Sequence, residues 1–535
     1  MSTVTNSSPW QRLVAEAEAA RAVPIAELLA RDEQRVERLT GSVGGITVDA
    51  SKTRLTPAAE TALHDLAVEA DVAGWRERMF AGEAVNTSEG RAALHAALRT
   101  PEIATARVAG EAVGSRVRAT YDAVIGLAEA VRTGELRGAT GAAFTDVVNI
   151  GIGGSDLGPR LACEALAGDA PLRMHFIANI DPHARQAVLA DLDPTRTLVI
   201  VASKTFTTLE TLANARALRQ WLAAALPANG VGRHLVAVTG AGERAAAFGV
   251  ASERILALPD WVGGRYSVWS AVGLPVAMAG GGAVFDELLA GAAEMDRHFR
   301  QADPAVSLPL RLALVGIWHG NFLGARSHVV VPYSERLARL PEYLQQLELE
   351  SNGKSVDRDG EPLDYATAPA LWGTVGTTAQ HAFFQWLHQG TEAATCDLIA
   401  VLGGGEPDAD VLAANCLAQA AALMAGVSER ELEQAGVPPA ERAFRRLPGD
   451  RPSTVILLDR LDARTLGALV ALYEHKVFCQ AVIWRINPFD QWGVERGKAL
   501  ARVLVPALST GEADGDVDPS TVALLRRYRA AGRET

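Results

Sequence analysis

The sequence has few of the features that mark secreted, disulfide-stabilised or zinc-binding proteins. Its 535 residues include only 4 cysteines, which form no CxxC pair and are too few to staple so long a chain. No Cys and His residues have zinc-ligand spacing, and no HExxH pattern is present. We therefore predict a protein without metal, whose thiols are reduced and buried. The four thiols are Cys163, Cys396, Cys416 and Cys479.

Excess basic charge and long uninterrupted apolar runs are also missing. With 51 Lys and Arg against 63 Asp and Glu, the net charge is -12, which disfavours a broad nucleic-acid surface. Residues 1–10 are polar and lack the apolar stretch of a secretion signal. The apolar stretch 268–285 is broken by Pro275 and by the glycines 280–282, which favours a buried helix over a membrane span. We expect a cytoplasmic protein with no nucleic-acid or membrane partner.

What is present is globular composition, with 48% hydrophobic and 21% charged residues. Because single cores stop growing at roughly 250–300 residues, the length predicts two domains with extensions. Residues up to about 100 have helical spacing, and from Asp146 short β-rich runs alternate with helical ones, which predicts parallel sheets flanked by helices. The predicted strands are 147–150, 174–178, 198–201 and 235–238, followed by 329–331, 398–401, 455–458 and 477–484.

Two loops have the composition of anion sites. The first, Asn149–Pro159, is glycine-rich, follows a predicted strand and opens a helix, so backbone N–H groups can approach an anion. A dinucleotide fingerprint would need a third glycine at Asp156, so we predict no nucleotide cofactor, and a tight turn without a ligand stays open. The second, Ser203–Thr208, combines hydroxyls with one ammonium, and Thr207 with Glu210 resembles a capping box. Alone it is typical of a helix cap, but two such loops at consecutive strand ends favour a phosphate site.

The candidate acid and base groups are less specific. In the helical pattern 341–354, Gln346 and Glu350 lie four residues apart, yet the residues alone favour a solvated acidic helix face over a catalytic carboxylate. His381 is typical of a core histidine, and Arg265 of either an oxyanion site or a structural ion pair. Segment 489–498 indicates only a loop that leads into a charged helix.

Taken together, these segments resemble the glucose-6-phosphate isomerase family. The resemblance runs from about Val85 to Lys498 in eight motifs in family order. They are 86–91, 151–159, 203–208, 263–270, 349–354, 380–383, 473–476 and 490–498.

The resemblance implies the fold class and the domains: two SIS-type α/β domains, each a mostly parallel sheet flanked by helices, with a helical N-terminal extension. The expected boundaries are 1–114 for the extension, 115–290 and 291–510 for the two domains, and 511–535 for a C-terminal tail.

It also implies the activity, the reversible isomerisation of glucose 6-phosphate and fructose 6-phosphate in glycolysis and gluconeogenesis, without a cofactor. Glu350 looks like the base that moves a proton between C1 and C2, and Arg265 like the group that stabilises the enediolate. His381 and Lys498 look like the ring-opening groups, with His381 supplied by the other subunit of a homodimer. The implied substrate-binding residues are Gly154, Ser155, Ser203, Lys204, Thr205, Thr208, Gln346 and Gln491.

The sequence departs from the common family pattern at two loops. The residue pairs 374–375 and 378–379 replace the family's Glu-Pro and Asn-Gly beside His381, and segment 403–407 is also unusual. Two alternatives stay open: a sugar-phosphate-binding protein of SIS type without catalysis, and an isomerase that also uses mannose 6-phosphate. The joint presence of Glu350, His381 and Lys498 favours an enzyme.

Overall fold

The computed structural model describes residues 4–100, 107–166, 168, 171–403, 407–510 and 517–531. They form two compact units, Met1–Pro488 and Phe489–Thr535. Part of the unusual segment 403–407 and of the predicted tail lies outside the described residues. The predicted domain boundaries stay predictions.

Three sheets are present in the described part of the first unit. Strand bounds follow the β-branched runs in the sequence, which fit a pleated, buried surface. The strands are β1 Thr40–Val43, β2 Ile46–Asp49, β3 Arg107–Val108, β4 Glu111–Ala112, β5 Asp146–Ile150, β6 Arg173–Ile177, β7 Thr197–Ala202, β8 Leu235–Thr239, β9 Ile255–Ala257, β10 Ser327–Tyr333, β11 Ala370–Gly373, β12 Ala394–Val401 and β13 Ser453–Leu458.

The two larger sheets are the parallel layers that the sequence predicted. The first has strand order β6-β5-β7-β8-β9, and every pair in it is parallel. The second has order β1-β2-β13-β12-β10-β11, and its last four strands pair in parallel. Apolar side chains of β5, β7 and β8 pack in one core cluster, and those of β10, β12 and β13 in another.

Helices flank these sheets and fill the N-terminal region. In the first unit they are α1 Ser8–Arg21, α2 Ile25–Arg31, α3 Arg35–Leu39, α4 Pro57–Glu69, α5 Val72–Ala81, α6 Gly114–Arg132, α7 Leu157–Ala165, α8 Pro182–Leu189, α9 Leu209–Ala225, α10 Gly242–Phe248, α11 Leu274–Gly280, α12 Gly282–Gln301, α13 Leu308–Ile317, α14 Leu340–Gln345, α15 Gly376–Gln380, α16 Phe384–Gln389, α17 Pro407–Ala425, α18 Glu429–Gln434, α19 Pro439–Arg445 and α20 Ala463–Ile483. In the second unit they are α21 Glu495–Thr510 and α22 Pro519–Ala531. The predicted α/β class with a largely helical N-terminal region is therefore confirmed.

One predicted strand is wrong. Residues 477–484 belong to the last two turns of α20 and its C-cap, not to a strand. Nearly all of α20 is buried, and a continuous apolar run has the same pattern in a buried helix as in a buried strand.

The same helix is, in the described part of the chain, the one long and apolar enough to cross a membrane. Its apolar stretch is completely buried inside the unit, so it is a core helix.

The N-terminal region contributes more than helices. The hairpin β1-β2 turns at Gly44 and Gly45, which have φ angles of +60° and +75°, a conformation that favours glycine. β2 then pairs antiparallel with β13 and extends the second sheet. The region before residue 100 is thus integrated into an α/β layer.

Candidate active site

Two loops leave the first sheet from adjacent strand ends. β5 and β7 are parallel partners, with Ile150 opposite Val201, so the loops that follow start about 5 Å apart. Open α/β sheets bind ligands at the carboxyl ends of their strands. The glycine-rich loop and the hydroxyl-rich loop therefore lie at one edge of the sheet, as the sequence predicted.

The glycine-rich loop packs tightly against two other segments. Gly153 has a φ of +58°, which favours glycine. A Cβ atom on Gly154 would lie 1.9 Å from the Gly264 carbonyl oxygen, so a side chain is excluded there. A Cβ atom on Gly153 would lie 2.7 Å from Gln346 Nε2. The loop therefore lies against both the turn that contains Gly264 and the helix that carries Gln346.

Paired hydroxyls characterise the second loop. Ser203 Oγ lies 3.1 Å from Thr208 Oγ1, and Thr205 Oγ1 lies 2.7 Å from Thr207 Oγ1. The predicted capping box of Thr207 and Glu210 is wrong, because α9 begins after Thr208 and has no side-chain cap. The hydroxyls of this loop are thus bonded to one another and not to the helix end.

Lys204 ties this loop to the segment that leads to Arg265. Its Nζ donates to the carbonyl oxygens of Asp260 at 2.7 Å and of Val262 at 2.9 Å. Burial, and then the nearby charge of Arg91, lower the pKa of Lys204 below its ordinary value. The ammonium therefore holds the loop in place as well as supplying positive charge.

Arg265 is buried, and each nitrogen of its guanidinium has a partner. Nε donates to Ser351 Oγ at 2.7 Å, and Nη1 lies 3.2 Å from Glu350 Oε2. Nη2 donates to the carbonyl oxygen of Pro488, and Tyr343 Oη donates to the Arg265 carbonyl oxygen. Because a planar guanidinium has a fixed fork of donors, these contacts determine its orientation.

The helix that carries Glu350 is neither regular nor solvated. α14 continues as a π-helical turn at Gln346–Glu350, and the helix stops before Gly353, as predicted. Such turns often occur at functional sites. Glu348, which favoured a solvated face from sequence, is buried and 2.6 Å from Lys476 Nζ. Glu350 has a side chain that is 26% exposed beside a buried arginine, so it is paired and still accessible.

These contacts connect the predicted substrate loops to the predicted base. Lys204 bonds the segment 260–262, Arg265 lies three residues beyond it, and Arg265 pairs with Glu350. The glycine loop lies against the same turn. The carboxyl ends of the first sheet's strands therefore present hydroxyls and backbone donors beside a cation and a carboxylate. This arrangement suits a phosphorylated substrate that undergoes proton transfer.

Comparison with known proteins decides the family. Residues 49–525 match the family described as phosphoglucose isomerase. The chain belongs to the phosphoglucose isomerase family. It is 48% identical to the glucose-6-phosphate isomerase of Caulobacter vibrioides, covering 97% of this chain and 98% of the relative. It is 46% identical to that of Deinococcus radiodurans, covering 99% of both.

Solved structures agree with the family. A crystal structure of a glucose-6-phosphate isomerase from Chlamydia trachomatis matches with a TM-score of 0.86 and 32% identity, covering 99% of this chain and all of that one. A hypothetical protein from Thermus thermophilus matches with a TM-score of 0.62 and 28% identity, covering 85% and 99%. The resemblance, the α/β fold and the isomerase class predicted from sequence are therefore confirmed for this phosphoglucose isomerase family member.

Three predicted site residues are not joined to the Arg265–Glu350 pair by the contacts above. His381 is exposed and follows α15, beyond the edge strand β11 of the second sheet. Gln491 and Lys498 lie in the second unit, where Lys498 Nζ is 2.8 Å from Glu495 Oε1 on the same helix. The roles of these residues stay predictions.

The structure also reveals residues that sequence reasoning missed. Ser351 accepts a hydrogen bond from Arg265, and the Tyr266 hydroxyl lies against that of Ser351. Lys476 neutralises Glu348. Their only sequence signal is their position within motifs that the phosphoglucose isomerase family shares, at 349–354, 263–270 and 473–476. Ordinary residue spacing gave no reason to choose them.

Proposed function

We propose that the protein catalyses the reversible isomerisation of glucose 6-phosphate and fructose 6-phosphate. The observation that carries this proposal is the pairing of a partly exposed carboxylate, Glu350, with a buried guanidinium, Arg265, beside two anion-type loops. Relatives that are 46–48% identical over nearly the whole chain are named glucose-6-phosphate isomerases. The reaction belongs to glycolysis and gluconeogenesis, and we place the protein in the cytoplasm.

The phosphate binds at the two strand-end loops. Hydroxyls of Ser155, Ser203, Thr205 and Thr208 donate to its oxygens, and the backbone at Gly154 approaches closely because no side chain fits there. Lys204 adds a nearby positive charge while it holds its loop. As the family resemblance implies, we also assign substrate-binding roles to Gln346 and Gln491.

The chemical step is a proton transfer between adjacent carbons. In the open-chain aldose, Glu350 removes the C2 proton and the electron pair forms the enediolate double bond between C1 and C2. The negative charge then rests on oxygen, where the Arg265 guanidinium stabilises it. Return of the proton to C1, with transfer of the hydroxyl proton from O2 to O1, gives the ketose.

Cyclic sugar must open before this step. We assign ring opening to His381 and Lys498: one of the two protonates the ring oxygen, and the other accepts the anomeric hydroxyl proton. His381 acts across the interface of a homodimer. Its exposure in a single chain agrees with a role toward a second subunit.

The test is a coupled assay of the purified protein on fructose 6-phosphate, with glucose 6-phosphate consumed by a dehydrogenase. We expect turnover that survives a chelator. Calorimetric binding of fructose 6-phosphate without turnover would instead identify a non-catalytic sugar-phosphate-binding protein. Turnover of mannose 6-phosphate at a comparable rate would identify the broader isomerase.

A further inference from the structure

A fully buried serine lies next to the proposed base. Ser351 directly follows Glu350, has no exposed surface, and accepts a hydrogen bond from Arg265 Nε at 2.7 Å. Its Oγ also lies 3.0 Å from Tyr266 Oη, and either hydroxyl can donate. One hydroxyl therefore connects the arginine to a buried tyrosine.

The contact with Ser351 determines which way the guanidinium faces. Arg265 is only 3% exposed, so its donors need protein partners in place of water. Nε and Nη2 bond Ser351 and the Pro488 carbonyl oxygen, which leaves Nη1 directed at Glu350. Loss of the Nε contact would remove one of the contacts that fix the orientation of the guanidinium.

Tyr266 gives this arrangement a rigid support. Its ring is 1% exposed and stacks on His95, with centroids 4.6 Å apart and 26° between the planes. His95 Nε2 in turn lies 3.8 Å from Glu474 Oε2 on the core helix α20. The hydroxyl pair is therefore anchored to the core of the first unit.

We propose that Ser351, supported by Tyr266, is a positioning residue that holds the Arg265 guanidinium toward Glu350 and the oxygens on C1 and C2 of the sugar. This inference rests on the proposed isomerase function. Neither hydroxyl needs to touch substrate. An oriented cation stabilises charge that develops in the transition state, so the orientation of Arg265 should affect kcat more than KM.

The test compares Ser351→Ala, Tyr266→Phe and the double variant in the fructose 6-phosphate assay. Ser453→Ala is the matched control, because this serine is 1% exposed and its Oγ has no hydrogen-bond partner among the described residues. We expect Ser351→Ala to lower kcat by about tenfold with KM changed by less than about twofold. Tyr266→Phe should lower kcat less. The fold decrease in kcat of the double variant should be smaller than the product of the decreases in the two single variants.

The Arg265→Lys background shows whether the effect passes through the arginine. A lysine has no Nε–H donor in that position, so Ser351→Ala should change kcat there by less than about twofold. An unchanged kcat in Ser351→Ala, or an equal loss in both backgrounds, overturns the positioning role. If Ser351→Ala fails to fold, Tyr266→Phe decides: full kcat in that variant overturns it. A wild-type protein without turnover overturns the proposed function itself, and this inference with it.

Discussion

Lys476 Nζ lies 2.6 Å from the carboxylate of Glu348, in the same π-helical turn that carries Glu350. Both side chains are at most 3% exposed, so the pair has little contact with water. Lys476 belongs to the core helix α20, so the charge pair joins the π-helical turn to this helix. This pair holds the turn that presents Glu350.

Removal of Lys476 should destabilise the fold. Lys476→Met leaves Glu348 charged and buried without a cation, which typically costs about 3–5 kcal/mol. Urea unfolding at neutral pH should measure a loss of this size. The control is Asp65→Asn in the pair Arg12–Asp65, whose side chains are each 49% exposed, where we expect less than about 1 kcal/mol. Equal, small effects in both variants would contradict a structural role for the buried pair.

Glu350→Gln should abolish most of the turnover without preventing substrate binding. The amide keeps the shape of the side chain but accepts no proton, so kcat should fall at least about a hundredfold. Glu342→Gln, at an exposed position in the same helix, is the matched control and should keep normal kinetics. Steady-state rates on fructose 6-phosphate measure both. Near-normal kcat in Glu350→Gln would remove this residue from its assigned role.

Lys204→Ala should act mainly on KM. A phosphate at the proposed site would be bound equally in the ground and transition states, so loss of the charge and of the loop's attachment to Asp260 and Val262 should weaken binding in both. We expect KM for fructose 6-phosphate to rise about tenfold or more, and inhibition by inorganic phosphate to weaken in parallel. An unchanged KM would argue against a phosphate site at this loop.

Asp156→Asn should stabilise the protein more at neutral pH than at acidic pH. Asp156 is 4% exposed, and burial raises its pKa from 3.8 to about 6. A carboxyl group whose pKa is raised by folding stabilises the folded protein fully below its unfolded-state pKa. This stabilisation is lost as the pH rises from about 4 to about 6, through the pKa of the folded state. The asparagine avoids that loss, which amounts to about 3 kcal/mol.

Denaturant unfolding of wild type and Asp156→Asn at pH 4.5 and pH 7.5 measures this difference. We expect the gain in the free energy of unfolding at pH 7.5 to be clearly larger than at pH 4.5. A gain that does not change with pH would show that Asp156 titrates normally in the folded protein.

Much of the fold could be predicted because strand signals are local. β-branched runs bounded by glycine, proline or polar residues correctly located β5 to β8 and β10, β12 and β13. The run 477–484 was wrongly predicted as a strand because a buried helix and a buried strand are both continuously apolar. The β1-β2 hairpin carries a readable signal, the Gly44-Gly45 turn, but its strands are only four residues long.

By itself, the sequence determined the chemistry that each segment can offer: a glycine turn after β5, hydroxyls after β7, a carboxylate at 350 and an arginine at 265. Its motifs also determined the family. Only the tertiary structure decided that Arg265 and Glu350, 85 residues apart, form a pair, and that Ser351 accepts a hydrogen bond from the arginine. The physical reason is that residue spacing encodes which face of a helix or strand a side chain occupies. Distances between distant segments arise when sheets and loops pack together.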